Sequence, residues 1–80
     1  MRIPRDASAQ GLRKSLEILG YMVTRQKGSH IRLTTQLNGE HHITIPNHDP
    51  LRIGTLQAIL KDVAEHHGLT VAQLIERLDL

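Results

Sequence analysis

The sequence has no cysteine, no tryptophan, no phenylalanine and a single tyrosine, Tyr21. Without cysteine there is no disulfide framework and no thiolate zinc site, which suits a reducing compartment. One ring cannot build a stacking platform for single-stranded bases, which needs several exposed aromatics. No apolar run approaches the roughly 20 residues of a membrane span, and the N-terminus lacks the apolar core of a signal peptide. The sequence therefore reads as that of a soluble cytoplasmic protein, and any nucleic acid it meets must be recognised through charge and shape.

A chain of 80 residues reads as one domain whose stability is on the order of 4 to 12 kcal/mol. The net charge of +2 is unevenly spread: residues 1–61 hold nine Lys or Arg against four acids, and residues 62–80 hold one Arg against four acids. A basic body with an acidic tail points toward a polyanionic partner, although chance clustering on a solvated surface explains the counts almost as well.

Residues 1–5 read as a short arm, Pro4 keeping its predecessor out of the helical region. Asp6 or Ser8 can cap a helix over 8–19, with Leu12, Leu16 and Leu19 on its apolar side and Gly20 as its left-handed stop. Tyr21 to Arg25 has strand composition, and the connection Gln26 to Ser29 returns it as a hairpin onto Ile31 to Thr35. Asn38-Gly39 is the strongest turn signal in the chain and leads into a third strand, His41 to Ile45. A helix with Ile53, Leu56, Ile59, Leu60 and Val63 on one side follows. It ends at Gly68-Leu69, a Schellman pattern, and Thr70-Val71-Ala72-Gln73 is a capping box that opens a last helix over 70–78.

Strand alternation turns Ile31 and Leu33 to one face and His30, Arg32 and Thr34 to the other. Strand 3 must bring Ile43 and Ile45 to the side of Ile31 and Leu33. That odd-to-odd match excludes a two-residue Asn38-Gly39 loop and favours Leu37-Asn38-Gly39 with Gly39 left-handed. In this register Thr44 lies opposite Arg32, Pro46 lies near His30, and His42 and Thr44 share the open face. The fold class is α+β, in the order α-β-β-β-α-α: a three-stranded antiparallel meander with helices on one face, as in double-stranded-RNA-binding domains, and an extra C-terminal helix.

The stretch Arg25-Gln26-Lys27-Gly28-Ser29-His30 is the most informative. Gly28 allows a tight turn, and the strand after it opens with an imidazole, the side chain suited to proton transfer near neutrality, among Arg25, Lys27 and Arg32. A phosphodiester fits there. RNA can be cut without a metal or other cofactor, because its 2′-OH is an internal nucleophile needing a base, an acid for the leaving 5′-oxygen and nearby positive charge. His30 fills one proton-carrying role and the sequence names no second. Arg25, Lys27 and Arg32 would bind phosphate, and Ser29 could donate a hydrogen bond. From position alone, His30 is as well explained as a solvent-facing strand residue without a role.

The other histidines do not converge. His41 and His42 are adjacent on a strand and point to opposite faces, His66 and His67 diverge at a helix end, and His48 beside Asp49 is a weak pair, so no metal site is expected.

Taken with Gly20-Tyr21, Ile43-Thr44-Ile45-Pro46, Gly54-Thr55-Leu56 and Ile59-Leu60, the Gly28-Ser29-His30 stretch resembles the HicA (YcfA-like) mRNA interferase toxins of bacterial and archaeal toxin-antitoxin pairs, over about residues 4–65. The resemblance implies a small ribonuclease on a double-stranded-RNA-binding-like fold. Its catalytic residue would be His30, and Arg25, Lys27, Gly28, Ser29 and Arg32 would lie around the RNA. It also implies a HicB-type antitoxin that occludes the histidine. On this reading residues 1–80 form one toxin domain, with a core over 8–67 and the helix at 70–78 as an extension. A non-catalytic RNA-binding module using the same basic face is the alternative.

Overall fold

The computed structural model describes residues 7–80; the expected arm and the capping role of Asp6 lie outside the described residues. Ser8 opens the first helix, α1 (Ala9–Leu16), its hydroxyl accepting from the Gly11 N–H at 3.0 Å. The expected single helix over 8–19 is corrected at its end, where Glu17–Leu19 tightens into a 3₁₀ turn. Gly20 then stops it at φ 82°. This glycine is doubly required, because a Cβ there would lie 2.8 Å from Thr35 Oγ1. Thr35 is itself buried, and its hydroxyl donates to Leu19 O at 2.7 Å and accepts from the Leu37 N–H at 3.1 Å. One side chain thus ties the end of the first helical segment to the start of the second turn.

Three strands follow, β1 (Met22–Lys27), β2 (His30–Thr35) and β3 (His41–Pro46), in one antiparallel sheet of order β1-β2-β3. Strand β1 runs two residues past Arg25, so the expected Gln26 to Ser29 connection is corrected to the two-residue turn Gly28-Ser29. Between β2 and β3 the register pairs Arg32 with Thr44, Leu33 with Ile43 and His30 with Pro46, as alternation predicts. The intervening loop is longer than three residues. Thr35 and His41 form the last pair, residues 36–40 are unpaired, and Asn38 (φ 60°) is left-handed as well as Gly39 (φ 97°).

Helix α2 (Ile53–His66) crosses beneath the sheet and closes in the Schellman motif, Leu69 N–H to Ala64 O at 2.9 Å and Gly68 N–H to Glu65 O at 3.3 Å. The capping box of Thr70 and Gln73 starts α3 (Val71–Arg77). Leu12 and Leu16 of α1, Ile31, Leu33, Ile43 and Ile45 of the sheet, Leu56, Leu60 and Val63 of α2, and Leu74 and Leu78 at the C-terminal end are all buried in one cluster. Ile53 departs from the helix-2 pattern: it is exposed, and Leu51, just before the helix, takes a core place. Among the described residues all the helices therefore lie on one face of the sheet, and the other face is open.

Candidate nucleic-acid interface

The open face is built by alternation on β2 and by an irregularity on β1. Along β2, His30 and Arg32 are exposed while Ile31 and Leu33 are buried. Strict alternation on β1 from the buried Tyr21 would send Val23, Arg25 and Lys27 toward the helices. Val23 does face Leu33, but a β-bulge follows between Val23 and Arg25, and beyond it Arg25 pairs with Arg32 and Lys27 with His30. Directly opposite residues of an antiparallel pair share a face. The inserted Thr24 thus turns both cations onto the open side, in keeping with the tendency of bulges to re-aim side chains near functional sites.

The outcome is a ladder of polar rungs about 6.6 Å apart along the strands. Lys27, His30 and Pro46 form the first, and Arg25, Arg32 and Thr44 the second. Two arginines facing each other across a sheet cost stability. Among the described residues none of Arg25, Lys27 and Arg32 forms an ion pair; the salt bridges there use Arg13, His41 and His42. Glu40 feels the charge of Arg32, which helps to lower its pKa, but among the described residues no acid pairs with the three cations, and like charge so gathered is the electrostatic footprint expected of an anion site.

Gly28 carries φ 57°, and an added Cβ would meet nothing within 4 Å. Its requirement is conformational, not steric: the first position of this two-residue hairpin turn needs the left-handed region. Ser29 is anchored through its carbonyl, which accepts from the Asn47 N–H. His30 therefore projects from a short, fixed turn with Lys27 opposite it. All five residues singled out with His30, namely Arg25, Lys27, Gly28, Ser29 and Arg32, are brought together at this end of the sheet.

The third rung is different. Thr34 Oγ1 lies 2.9 Å from Thr24 Oγ1 and 2.7 Å from His42 Nδ1, and His42 Nε2 lies 3.0 Å from Glu40 Oε2. Hydrogen bonding by Gln36 and then by His42 holds the Glu40 carboxyl below the usual carboxylate range. His42 is four residues along the strands from the His30 rung, or about 13 Å. His42 is engaged with Thr34 and Glu40 and stands apart from the His30 rung.

Sequence reasoning missed a second polar cluster, on the helix side of the sheet. The Tyr21 hydroxyl lies 2.7 Å from His41 Nδ1 and 3.1 Å from His67 Nε2, His41 Nε2 is 3.2 Å from Asp62 Oδ1, and His67 Nδ1 is 3.1 Å from Asn38 Nδ2. One proton assignment satisfies the whole chain: His41 Nε2–H donates to Asp62, Tyr21 O–H to His41 Nδ1, His67 Nε2–H to Tyr21, and the Asn38 amide to His67 Nδ1. His66 stacks on His41 at 4.3 Å and its Nε2 lies 3.1 and 3.0 Å from Leu37 O and Gly39 O. Burial, with Asp62 adding to it, pushes the Tyr21 hydroxyl up to about 12. Burial and then the neighbouring His66, His41 and Arg77 lower the pKa of His67. The cluster pins the β2–β3 loop to the end of α2. The sequence signal for it was present in the pair His66-His67, but only the fold reveals that both rings reach a turn nearly 30 residues away.

His41 and His42 do point to opposite faces, and among the described residues no three His, Asp or Glu side chains are placed to share a metal ion. Nor is any helix among them long and apolar enough to cross a membrane.

Residues 10–64 match the model of the family described as HicA toxin of bacterial toxin-antitoxin. The chain belongs to the HicA toxin family. The match takes in α1 from its second residue, the whole sheet and nearly all of α2, and so contains the complete basic ladder; α3 lies beyond it. The α+β order, with three antiparallel strands in one sheet, is the architecture the HicA resemblance implies. No curated protein and no solved structure matches the chain.

Proposed function

We propose that this HicA-family toxin is a metal-independent endoribonuclease of the mRNA interferase type, with His30 as its general acid/base. The observation that carries the reading is the first two rungs of the open face, where one imidazole faces Lys27 and adjoins the opposed Arg25 and Arg32. Simple phosphate binding needs only cations. A group that exchanges protons near neutral pH, fixed beside those cations, is what phosphodiester chemistry adds.

In the proposed step the ribose 2′-oxygen attacks phosphorus as His30 accepts its proton, the P–O5′ bond breaks, and the 5′-oxygen takes a proton from solvent or from the imidazolium. Arg25, Lys27 and Arg32 hold the phosphate and stabilise the charge that grows on its oxygens. Gly28 and Ser29 supply the turn against which the backbone of the RNA lies. A single well-placed proton carrier is worth about 10² to 10⁴ in rate, so the enzyme is expected to be slow. Acting on mRNA, it works in the cytoplasm, and a HicB-type antitoxin neutralises it by covering the same face.

A non-catalytic RNA-binding module is the alternative, favoured by the absence of a second proton carrier in the first two rungs among the described residues. The two readings part on the ends of the products. Incubation of RNA with the purified protein in excess chelator should yield 2′,3′-cyclic phosphate and 5′-hydroxyl termini. RNA that is bound but recovered intact would favour the binding module.

A further inference from the structure

Five large apolar side chains are exposed among the described residues, and three of them, Ile18, Met22 and Leu37, line a single open groove of about 750 Å³. Met22 is 70% exposed and Ile18 63% exposed. Thr24 and Thr34 also line this groove, and the next rung of the sheet is Arg25 with Arg32. The groove and the basic ladder are therefore continuous on one face.

Three kinds of occupant can be weighed. RNA gains little from aliphatic side chains, since bases bind by stacking on rings or by hydrogen bonds to their edges. A second copy of this chain, related by a two-fold axis centred here, would lay groove on groove, an arrangement that makes no use of the adjoining Arg25 and Arg32. A protein segment with an apolar side chain for the groove and carboxylates a few residues on satisfies both parts of the surface.

We propose that the groove formed by Ile18, Met22 and Leu37 is the anchor for the antitoxin, whose acidic groups then lie over Arg25 and Arg32. The inference rests on the reading of the chain as a toxin silenced by a protein partner. It adds to that reading a division of labour. RNA and antitoxin compete for the cations, and only the antitoxin uses the apolar groove, so partner affinity has a component that salt does not screen.

The test uses the full chain and, as probe, the protein encoded by the adjoining reading frame. Binding is titrated calorimetrically to wild type, Met22→Ser, Ile18→Ser and the double variant, and RNA cleavage is measured for each; a far-UV spectrum and a melting curve check the fold. Leu37→Ser replaces any variant that fails to fold. The expected result is a loss of partner affinity of about tenfold or more, cleavage within twofold of wild type, and wild-type partner binding that survives salt at which RNA binding is lost. Unchanged partner affinity in the double variant would overturn the groove as anchor while leaving the toxin reading intact. A parallel loss of cleavage would assign the groove to the RNA, and concentration-dependent self-association of wild type abolished by Met22→Ser would assign it to a second copy; both overturn the proposal. No binding of wild type to the probe would remove the partner reading, and this inference with it.

Discussion

Arg25 stands directly opposite Arg32, although Val23, two residues earlier on the same strand, stands opposite the core residue Leu33. Only a bulge reconciles the two pairings, and it turns onto the open face cations that strict alternation would have sent to the helix side. Two arginines so opposed cost stability, a cost that a polyanion laid over this face would relieve.

The first prediction concerns that pair. Wild-type binding of RNA should fall with salt with a log–log slope near −2 to −3 if three cations each displace counterions. Because the bulge places Arg25 and Arg32 on the same face, Arg25→Ala and Arg32→Ala should each flatten the slope by about 0.7 to 0.9. Equilibrium titrations between low and physiological salt measure it. A slope altered by Arg32→Ala alone would mean that Arg25 does not share the face.

Gly28 carries the positive φ of the turn that precedes His30. Gly28→Ala should destabilise the protein by about 1 to 2 kcal/mol, the cost of holding a side-chain-bearing residue in the left-handed region, with no steric clash to add to it. Gly28→Asn should cost less, since Asn tolerates that conformation better. Denaturant unfolding of the two variants checks the order.

The helix-side cluster predicts a dependence of stability on pH. His67 has its pKa lowered in the folded protein. Above the ordinary histidine value both states are neutral and stability is full. As pH falls through that value and toward the lowered one, the unfolded chain takes up the proton first and stability is lost. Melting temperature should therefore drop as pH falls below about 6.5, and His67→Gln should flatten that drop. Tyr21 acts at the other end: with its pKa raised to about 12, stability is present below the ordinary tyrosine value and lost as pH rises toward 12.

Thr35→Val should be costly for its size. It leaves the Leu19 carbonyl without its hydroxyl donor at a buried position and the part-buried Leu37 N–H without its acceptor, a loss on the order of 1 to 3 kcal/mol.

Most of the fold was legible because local and tertiary signals agree. Gly20, the Schellman pair and the Thr70 capping box each have a one-residue cause, and the β2–β3 register follows from which odd positions are apolar. What escaped the sequence depended on contacts between distant segments. The bulge at Thr24 has no composition signal, since a threonine suits a regular strand equally well. Its presence follows from reconciling Tyr21 inside with Lys27 outside. Asn38 is left-handed because residues 36–40 must close a longer loop than its turn signal implies, and the His66–His67 pair anchors that loop from α2. Of the candidate face, the part on β2 and β3 was legible in the alternation, whereas the turning of Arg25 and Lys27 onto it was not.

His30 is the one proton carrier proposed for the cleavage. RNA cleavage should be compared for wild type, His30→Ala and His42→Ala in excess chelator, with unfolding curves for all three. His30 lies on an exposed strand face and contributes nothing to the core, so its truncation should leave stability within about 0.5 kcal/mol while lowering cleavage by at least about 10². His42→Ala, some four residues away along the sheet, should cost far less. Undiminished cleavage by a folded His30→Ala protein would contradict the account.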